Sequence, residues 1–250
     1  MTGPDINCFG PAIRQGGWVL RLAEPAEMPA VLALRQRCFR RAPGVSDSDS
    51  FDAGALHLFL GRENVAAPLA TLRLRLHQDR ASLLGGYAAQ AYDLGGLAGQ
   101  GGVALELGRL CTEPGSAEGD PLRLIWAGVA RLALRAGAAR LIGCTSFHTT
   151  DPGPLTPALA LLAARHLGPD GLRPGIKAVE TRPLPSPTTA DPAAAALLPP
   201  LLRAYLAMGG WVSDHLVIDR DLGTCHVFTC VEIDRMPEAR RRILEKMAAG

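Results

Sequence analysis

The sequence has almost no lysine. Lys177 and Lys246 stand against twenty-four arginines. With abundant alanine, glycine and proline, this imbalance reads as coding bias in a GC-rich genome, so arginine counts alone do not mark binding sites. Net charge is also scarce: 26 basic and 24 acidic side chains leave +2 at pH 7. A field that small does not draw a polyanion over a whole face, which argues against a nucleic-acid partner. The six cysteines include no CxxC pair, and no Cys/His spacing suits zinc, so no metal site is expected. Six cysteines in 250 residues also fall short of a disulfide scaffold. Residues 1–17 carry Pro4, Asp5 and Pro11 and no apolar core of signal-peptide length. No run approaches the ~18 apolar residues of a membrane span. The greasiest stretch, residues 193–206, is broken by Pro199, Pro200 and Arg203. These absences predict a cytoplasmic protein with reduced thiols, in peripheral contact with the inner membrane face at most.

What is present is a globular composition, 48% hydrophobic and 20% charged, which excludes disorder and coiled coil. No repeat is visible and no linker divides the chain. It reads as one domain over 1–250, with residues 1–17 irregular and 168–200 a proline-rich insertion. Alternation predicts strands over 18–22, 57–60 and 69–76; in the last, Arg73 and Arg75 share one face and Leu72, Leu74 and Leu76 the other. The 57–60 and 69–76 strands suggest a hairpin. A helix is expected over 26–39, with Val31, Leu34 and Cys38 on its apolar stripe and Arg35, Arg37, Arg40 and Arg41 largely off it. Residues 77–102 hold seven glycines and no period, so they read as a long loop. Further strands are expected over 103–112, 140–147, 215–218 and 225–233. Helices are expected over 120–135, 154–166, 201–208 and 237–249. This order is that of a mixed α/β sheet.

Four segments resemble one family. They are Val103–Cys111 with its Glu106-Leu107-Gly108-Arg109 core, GCTSFHTTDP at 143–152, HLGPDGLRP at 166–174, and LPPLLRAYLAMGGWVSDHLVID at 198–219. In this order they are similar to the L-ornithine N-acyltransferases of ornithine-lipid synthesis, and the likeness covers residues 18–233. The resemblance implies a GNAT-like fold related to the acyl-homoserine lactone synthases. It implies a mixed, mostly antiparallel sheet flanked by helices. The implied reaction moves a fatty acyl group, typically 3-hydroxylated, from acyl carrier protein to the α-amine of ornithine, giving lyso-ornithine lipid. The carrier's phosphopantetheine arm would enter as part of a co-substrate, with no resident cofactor. Three positions depart from the family's pattern. The acid expected before His57 is Leu56, the residue after Gly108-Arg109 is Leu110, and the turn after Cys111 reads Glu113-Pro114-Gly115. They bear on the acceptor, so glutamine, lysine and glycine stand as alternatives. A non-catalytic carrier- or membrane-surface-binding protein is the rival from another class.

Amide formation from a thioester requires a group to take the amine's proton. Glu106 lies among Val103, Leu105 and Leu107, where an acid is costly unless paired or used. Its residues alone leave a bracing Glu106–Arg109 pair and a functional acid equally open. The resemblance favours Glu106 as general base or acceptor anchor, with Arg109 as its electrostatic partner, brought to the same face by a bulge that Gly108 permits. The resemblance also implies that a bulge in this strand offers backbone N–H groups to the oxyanion. Ser146, His148 and Asp151 follow the 140–147 strand, a usual site position in α/β sheets, and are candidates for the acceptor. Asp47, Asp49 and Asp52 form an acidic loop, and Asp49 and Asp52 suit a second amine; a solvated loop explains them as well. Cys111 and Cys144 read as buried thiols, His166 and His215 as structural. The turn at 113–119 lacks the basic, glycine-rich coenzyme A signature, in keeping with a carrier-protein donor. For that acidic partner, one basic patch is Arg35, Arg37, Arg40 and Arg41, and another is Arg240, Arg241, Arg242 and Lys246; either also reads as a solvated helix face.

Overall fold

The computed structural model describes residues 8–40, 44–115, 120–186 and 192–249. The chain divides into two compact units, one of Met1–Leu76, Leu107–Ala138 and Ala239–Gly250, the other of His77–Glu106 and Ala139–Glu238. In the first, β1 (Ile13–Gln15), β2 (Trp18–Leu22), β3 (Leu56–Arg62) and β4 (Ala70–His77) pair in turn, each antiparallel to the last. Helices α1 (Met28–Phe39) and α5 (Asp120–Arg135) belong to the same unit.

The expectation that residues 1–17 are irregular needs correction, because Ile13–Gln15 pairs with Trp18–Leu22. The cause is the Gly16-Gly17 turn. Both glycines take positive φ, 58° and 77°, the geometry of a two-residue hairpin loop that matches strand twist. On β2 the guanidinium of Arg62 lies 3.5 Å from the Trp18 ring centroid. The expected hairpin is β3–β4, with Leu58 opposite Leu72 and His57 opposite Arg73. Leu58, Leu60, Leu72 and Leu74 are buried, as alternation requires. The other face of β4 departs from the usual polar, solvated pattern: Arg73 is 4% exposed and needs buried partners.

Strand β6 (Val103–Thr112) supplies its first four residues to the second unit and the rest to the first. In the second unit, β7 (Ala138–Phe147), β11 (Thr224–Glu232), β10 (Trp211–Asp219) and β9 (Thr181–Pro183) follow one another, all antiparallel. The proline-rich stretch therefore contributes a sheet strand. One face of this sheet buries Phe147, Val212, Leu216 and Val227 against α6 (Thr156–Arg165) and α7 (Pro200–Ala207). The other buries Ile142, Trp211, Val217 and Phe228. Trp211 packs against Phe228 at 5.9 Å between ring centroids.

That second face is covered by α2 (Arg80–Leu84), α3 (Ala88–Ala91) and α4 (Gly95–Ala98), where the sequence suggests only loop. These helices have four or five residues each, too few to display a 3.6-residue period. A local signal does exist for α2. Asp79 accepts from Ser82 N at 2.7 Å, and Ser82 Oγ lies 3.3 Å from Asp79 N, an N-cap arrangement. Helix α8 (Glu238–Ala249) closes the described chain.

All six cysteines are free thiols. Cys38 is half-buried on α1; a hydrogen bond with Cys111 and the charge of Arg37 hold its thiol below the ordinary value. Burial pushes the Cys225 thiol up to about 11 and raises Cys230 as well. Because the thiolate is the nucleophile, iodoacetamide near pH 8 should label Cys38 ahead of Cys111, Cys225 and Cys230. Time-resolved peptide mass spectrometry reads the order, and comparable labelling of Cys225 would contradict it.

Candidate active site

Two buried polar clusters stand out, one in each unit. In the first unit, Asp47 is fully buried. Its carboxylate accepts from Arg35 Nε at 2.8 Å, Arg40 Nε at 2.9 Å and Arg109 Nε at 3.0 Å. Asp52 accepts from Arg35 Nη1 at 2.6 Å and Arg73 Nη1 at 2.9 Å. Asp49 accepts from Arg73 Nη1 at 2.5 Å and Arg109 Nη2 at 3.3 Å. Four arginines thus interlock with three aspartates, and Asp47, Asp49 and Asp52 are no solvated loop. The expectation that Asp49 and Asp52 receive an ammonium group meets carboxylates already neutralised by guanidinium groups. A further cation there would have to displace a charge-assisted pair.

Arg35 also leaves the proposed docking patch. It lies four residues after Val31, on the same helix face, and its side chain is 0% exposed. Arg40 is 12% exposed and engaged by Asp47. Arg37 is half-exposed and paired with Glu113 at 2.5 Å. Arg41 lies outside the described residues, as do residues 116–119 of the turn that lacks the coenzyme A signature. A surface for an acidic protein cannot be built from arginines spent on internal aspartates.

Burial by itself would raise the Asp52 carboxyl, but hydrogen bonds from Arg35, Asp49 N and Arg73 outweigh it and bring the group to about 2. Its ordinary value is 3.8. A depressed folded value means stability that is present above the ordinary value and lost as pH falls from about 4 towards 2. Discounted for solvent screening, this is about 1–2 kcal/mol. Acid titration of unfolding should show that slope in the wild type and lose it in Asp52→Asn. His57, beside Arg73, is pushed down by burial. Neither ring nitrogen of His57 has a hydrogen-bond partner, and Nε2 lies 3.9 Å from Asp52 Oδ1.

In the second unit, Glu106 is buried on β6. Its Oε2 lies 2.9 Å from His77 Nε2 and accepts from Tyr87 N at 3.1 Å, while Oε1 accepts from Ala88 N at 2.6 Å. Burial would raise the Glu106 carboxyl; the His77 hydrogen bond and the two amides overcome this and hold it below its usual range. Gly86 makes the arrangement sterically possible. A Cβ there would stand 2.9 Å from Glu106 Oε2 and from His77 Cε1.

The expected Glu106–Arg109 pair is therefore corrected: Glu106 pairs with His77, and Arg109 with Asp47 and Asp49. Residues three apart on a strand face opposite ways. The backbone does break from extended geometry, at Arg109 itself (φ 55°), not at Gly108. A left-handed arginine costs about 1–2 kcal/mol, which its two aspartate pairs offset. His77 is the site residue that composition and motif do not reveal. One signal pointed to it: it lies two and four residues after Arg75 and Arg73, on the same face of an alternating strand.

The chain shares 33% identity over 211 residues with an L-ornithine N(alpha)-acyltransferase of Rhodobacter capsulatus, covering 82% of this chain and 81% of that one. The chain belongs to the L-ornithine N(alpha)-acyltransferase family. A second relative so named, from Rhizobium meliloti, is 31% identical over 86% of this chain and 80% of its own. The Acetyltransferase (GNAT) domain family matches residues 33–127. FeeM, an N-acyl amino acid synthase from uncultured soil microbes, superposes with a TM-score of 0.51 over 88% of this chain and 93% of its own. At 13% identity it establishes the fold. This L-ornithine N(alpha)-acyltransferase family member is thus an amide-forming acyltransferase of GNAT fold, which removes the non-catalytic reading.

In this family member the three strand-end candidates have other surroundings. Ser146 lies opposite His226 on β11, and His148 is exposed. Asp151 accepts from Gly153 N at 3.0 Å and so shapes the turn into α6. Among the described residues no hydrogen bond links any of them to Glu106 or His77. No group of three or more His, Cys, Asp or Glu side chains able to hold a metal occurs among the described residues. No helix among them is long and apolar enough to cross a membrane.

Proposed function

We propose that the protein transfers a fatty acyl group, 3-hydroxylated in the usual case, from acyl carrier protein to the α-amine of L-ornithine, giving lyso-ornithine lipid. The observation that carries this reading is the 33% identity to the Rhodobacter capsulatus L-ornithine N(alpha)-acyltransferase over most of both chains. The amine attacks the thioester carbonyl directly: a C–N bond forms, the C–S bond breaks, and the carrier's phosphopantetheine leaves as a thiol. The phosphopantetheine arm serves as co-substrate, and the protein needs no resident cofactor. The buried Glu106–His77 pair is the group of this chain suited to the proton that the amine must lose.

The acidic carrier requires a basic surface. With Arg35 and Arg40 tied to Asp47, the remaining basic patch is Arg240, Arg241, Arg242 and Lys246, all exposed on α8. The reaction belongs in the cytoplasm, with peripheral contact at the inner membrane face where a single-chain lipid product would be released. A second reading keeps the reaction and changes the acceptor to glutamine, lysine or glycine. The occupied carboxylates of Asp49 and Asp52 favour glutamine or glycine within it, because they leave no acid in that cluster for the second amine of ornithine or lysine.

Product mass spectrometry tests both. The purified protein is incubated with long-chain 3-hydroxyacyl carrier protein and an equimolar mixture of amino acids. N-acyl-ornithine as the main product supports the first reading, and another N-acyl amino acid moves the assignment to the second. No product from folded protein with a competent donor overturns both.

A further inference from the structure

We propose that His77 takes the proton from the acceptor amine, and that Glu106 is its positioning carboxylate and not itself the base. The inference rests on the acyl-transfer reading and deepens it by assigning the proton to an atom.

Glu106 is poorly placed to be the base. Both of its oxygens are engaged, Oε1 by Ala88 N and Oε2 by Tyr87 N and His77 Nε2. Protonating that carboxylate would put a hydrogen where a donor already points, so each of these bonds favours the charged form. A group so held is an acceptor for fixed donors.

His77 has the opposite arrangement. With Nε2–H directed at Glu106 Oε2, the neutral ring carries its lone pair on Nδ1. Nδ1 is buried and has no hydrogen-bond partner. A buried polar atom left without a partner is uncommon and calls for a reason. A carboxylate that fixes the imidazole tautomer and then stabilises the imidazolium is the arrangement that makes histidine an effective base. Gly86 closes the remaining side, within 2.9 Å of both members if it bore a Cβ, so the ring and carboxylate are held in register. Among the described residues, His77 interacts electrostatically with Glu106 from β6 and with Asp79 two residues on along its own segment. Asp214 and His215 make a second carboxylate–imidazole pair at 2.8 Å, but the Asp214 side chain is 52% exposed, against 7% for Glu106. Water-exposed carboxylates hold an imidazolium weakly.

The step balances. The neutral amine adds to the thioester carbonyl, and the nitrogen of the tetrahedral adduct gives its proton to His77 Nδ1. The amine nitrogen keeps the bond to the former thioester carbon, the C–S bond breaks, and the departing thiolate takes the proton from the imidazolium. Glu106 stays ionised throughout.

The test is the pH dependence of kcat/KM for the full-length protein, over about pH 6 to 9, with 3-hydroxyacyl carrier protein and the acceptor that the product assay identifies. The wild type should lose activity on an acid limb. His77→Asn should fall by about 10²–10⁴-fold near neutral pH and lose that limb. Its KM for the acyl carrier donor should stay within about threefold, and its urea unfolding midpoint should match the wild type, which excludes loss of folding as the cause. His215→Asn should keep the wild-type profile. A wild-type rate independent of pH overturns the proposal, and that measurement needs no variant to fold. So does a His77→Asn protein that retains both rate and limb. If the wild type forms no N-acyl product, the acyl-transfer reading itself falls, a result distinct from product made by His77→Asn at the wild-type rate.

Discussion

Asp47→Ala should destabilise the protein by about 3–5 kcal/mol, the range for removing one partner of a buried ion pair. Asp47 is completely buried and anchors Arg35, Arg40 and Arg109 through its carboxylate, while its carbonyl accepts a further bond from Arg35 Nη2 at 2.5 Å. Without it, Arg35 (also fully buried) keeps only the Asp52 carboxylate as an anion, and Arg109 keeps Asp49. The guanidinium groups would then repel one another in a region from which water is excluded. Arg37→Ala is the matched control. It breaks an ion pair of similar length to Glu113, but both partners are about half exposed, so the loss should stay under about 1 kcal/mol. Urea unfolding of both variants measures the contrast. A small effect for Asp47→Ala would mean that water or a rearranged aspartate reaches the arginines.

Gly86→Ala should remove most acyl-transfer activity while leaving the protein folded. The added methyl group would lie 2.9 Å from Glu106 Oε2 and His77 Cε1 and 3.0 Å from His77 Nε2. Real Cβ atoms do not approach so closely, so either the imidazole or the carboxylate must move. Overpacking of this kind costs about 1–3 kcal/mol. Displacing a catalytic group by about 1 Å costs on the order of 10²-fold in rate. Stability and kcat/KM measured on the same preparation separate the two effects. Full activity in Gly86→Ala would show that the Glu106–His77 geometry is not required for turnover.

Much of this fold was legible in the sequence, because its strands are long and their alternation is regular. Val103–Thr112 and Trp18–Leu22 match the expected strands residue for residue, and α5 runs from Asp120 to Arg135 as its cap and proline indicate. The short helices α2 to α4 are not legible, since turns of four or five residues have no period to read. The site was half legible. Glu106 reads from the sequence as a costly acid in an apolar strand and is buried, but the pairing expected between it and Arg109 gives way to His77 for the one and Asp47 and Asp49 for the other. Those partners come from distant parts of the chain: Arg109 to Asp47 spans 62 residues and Glu106 to His77 spans 29. Arg35 departs from expectation for a related reason. Charge suggested surface, and only the buried aspartate on another segment explains why an arginine can occupy the same helix stripe as Val31 and Leu34.

The three tryptophans fall unevenly across the chain: Trp18 and Trp126 belong to the first unit and Trp211 alone to the second. Trp211 is 6% exposed against Phe228, while Trp18 is partly solvated under the Arg62 guanidinium. Their emission should differ in colour as well as origin, with the buried indole to the blue of the wetter one. A Trp211→Phe variant and its complement, with only Trp211 retained, therefore act as optical tags placed by nature. Coincident denaturation curves from the two would mean that both units melt as one cooperative block. Separate curves would show which half of the enzyme gives way first.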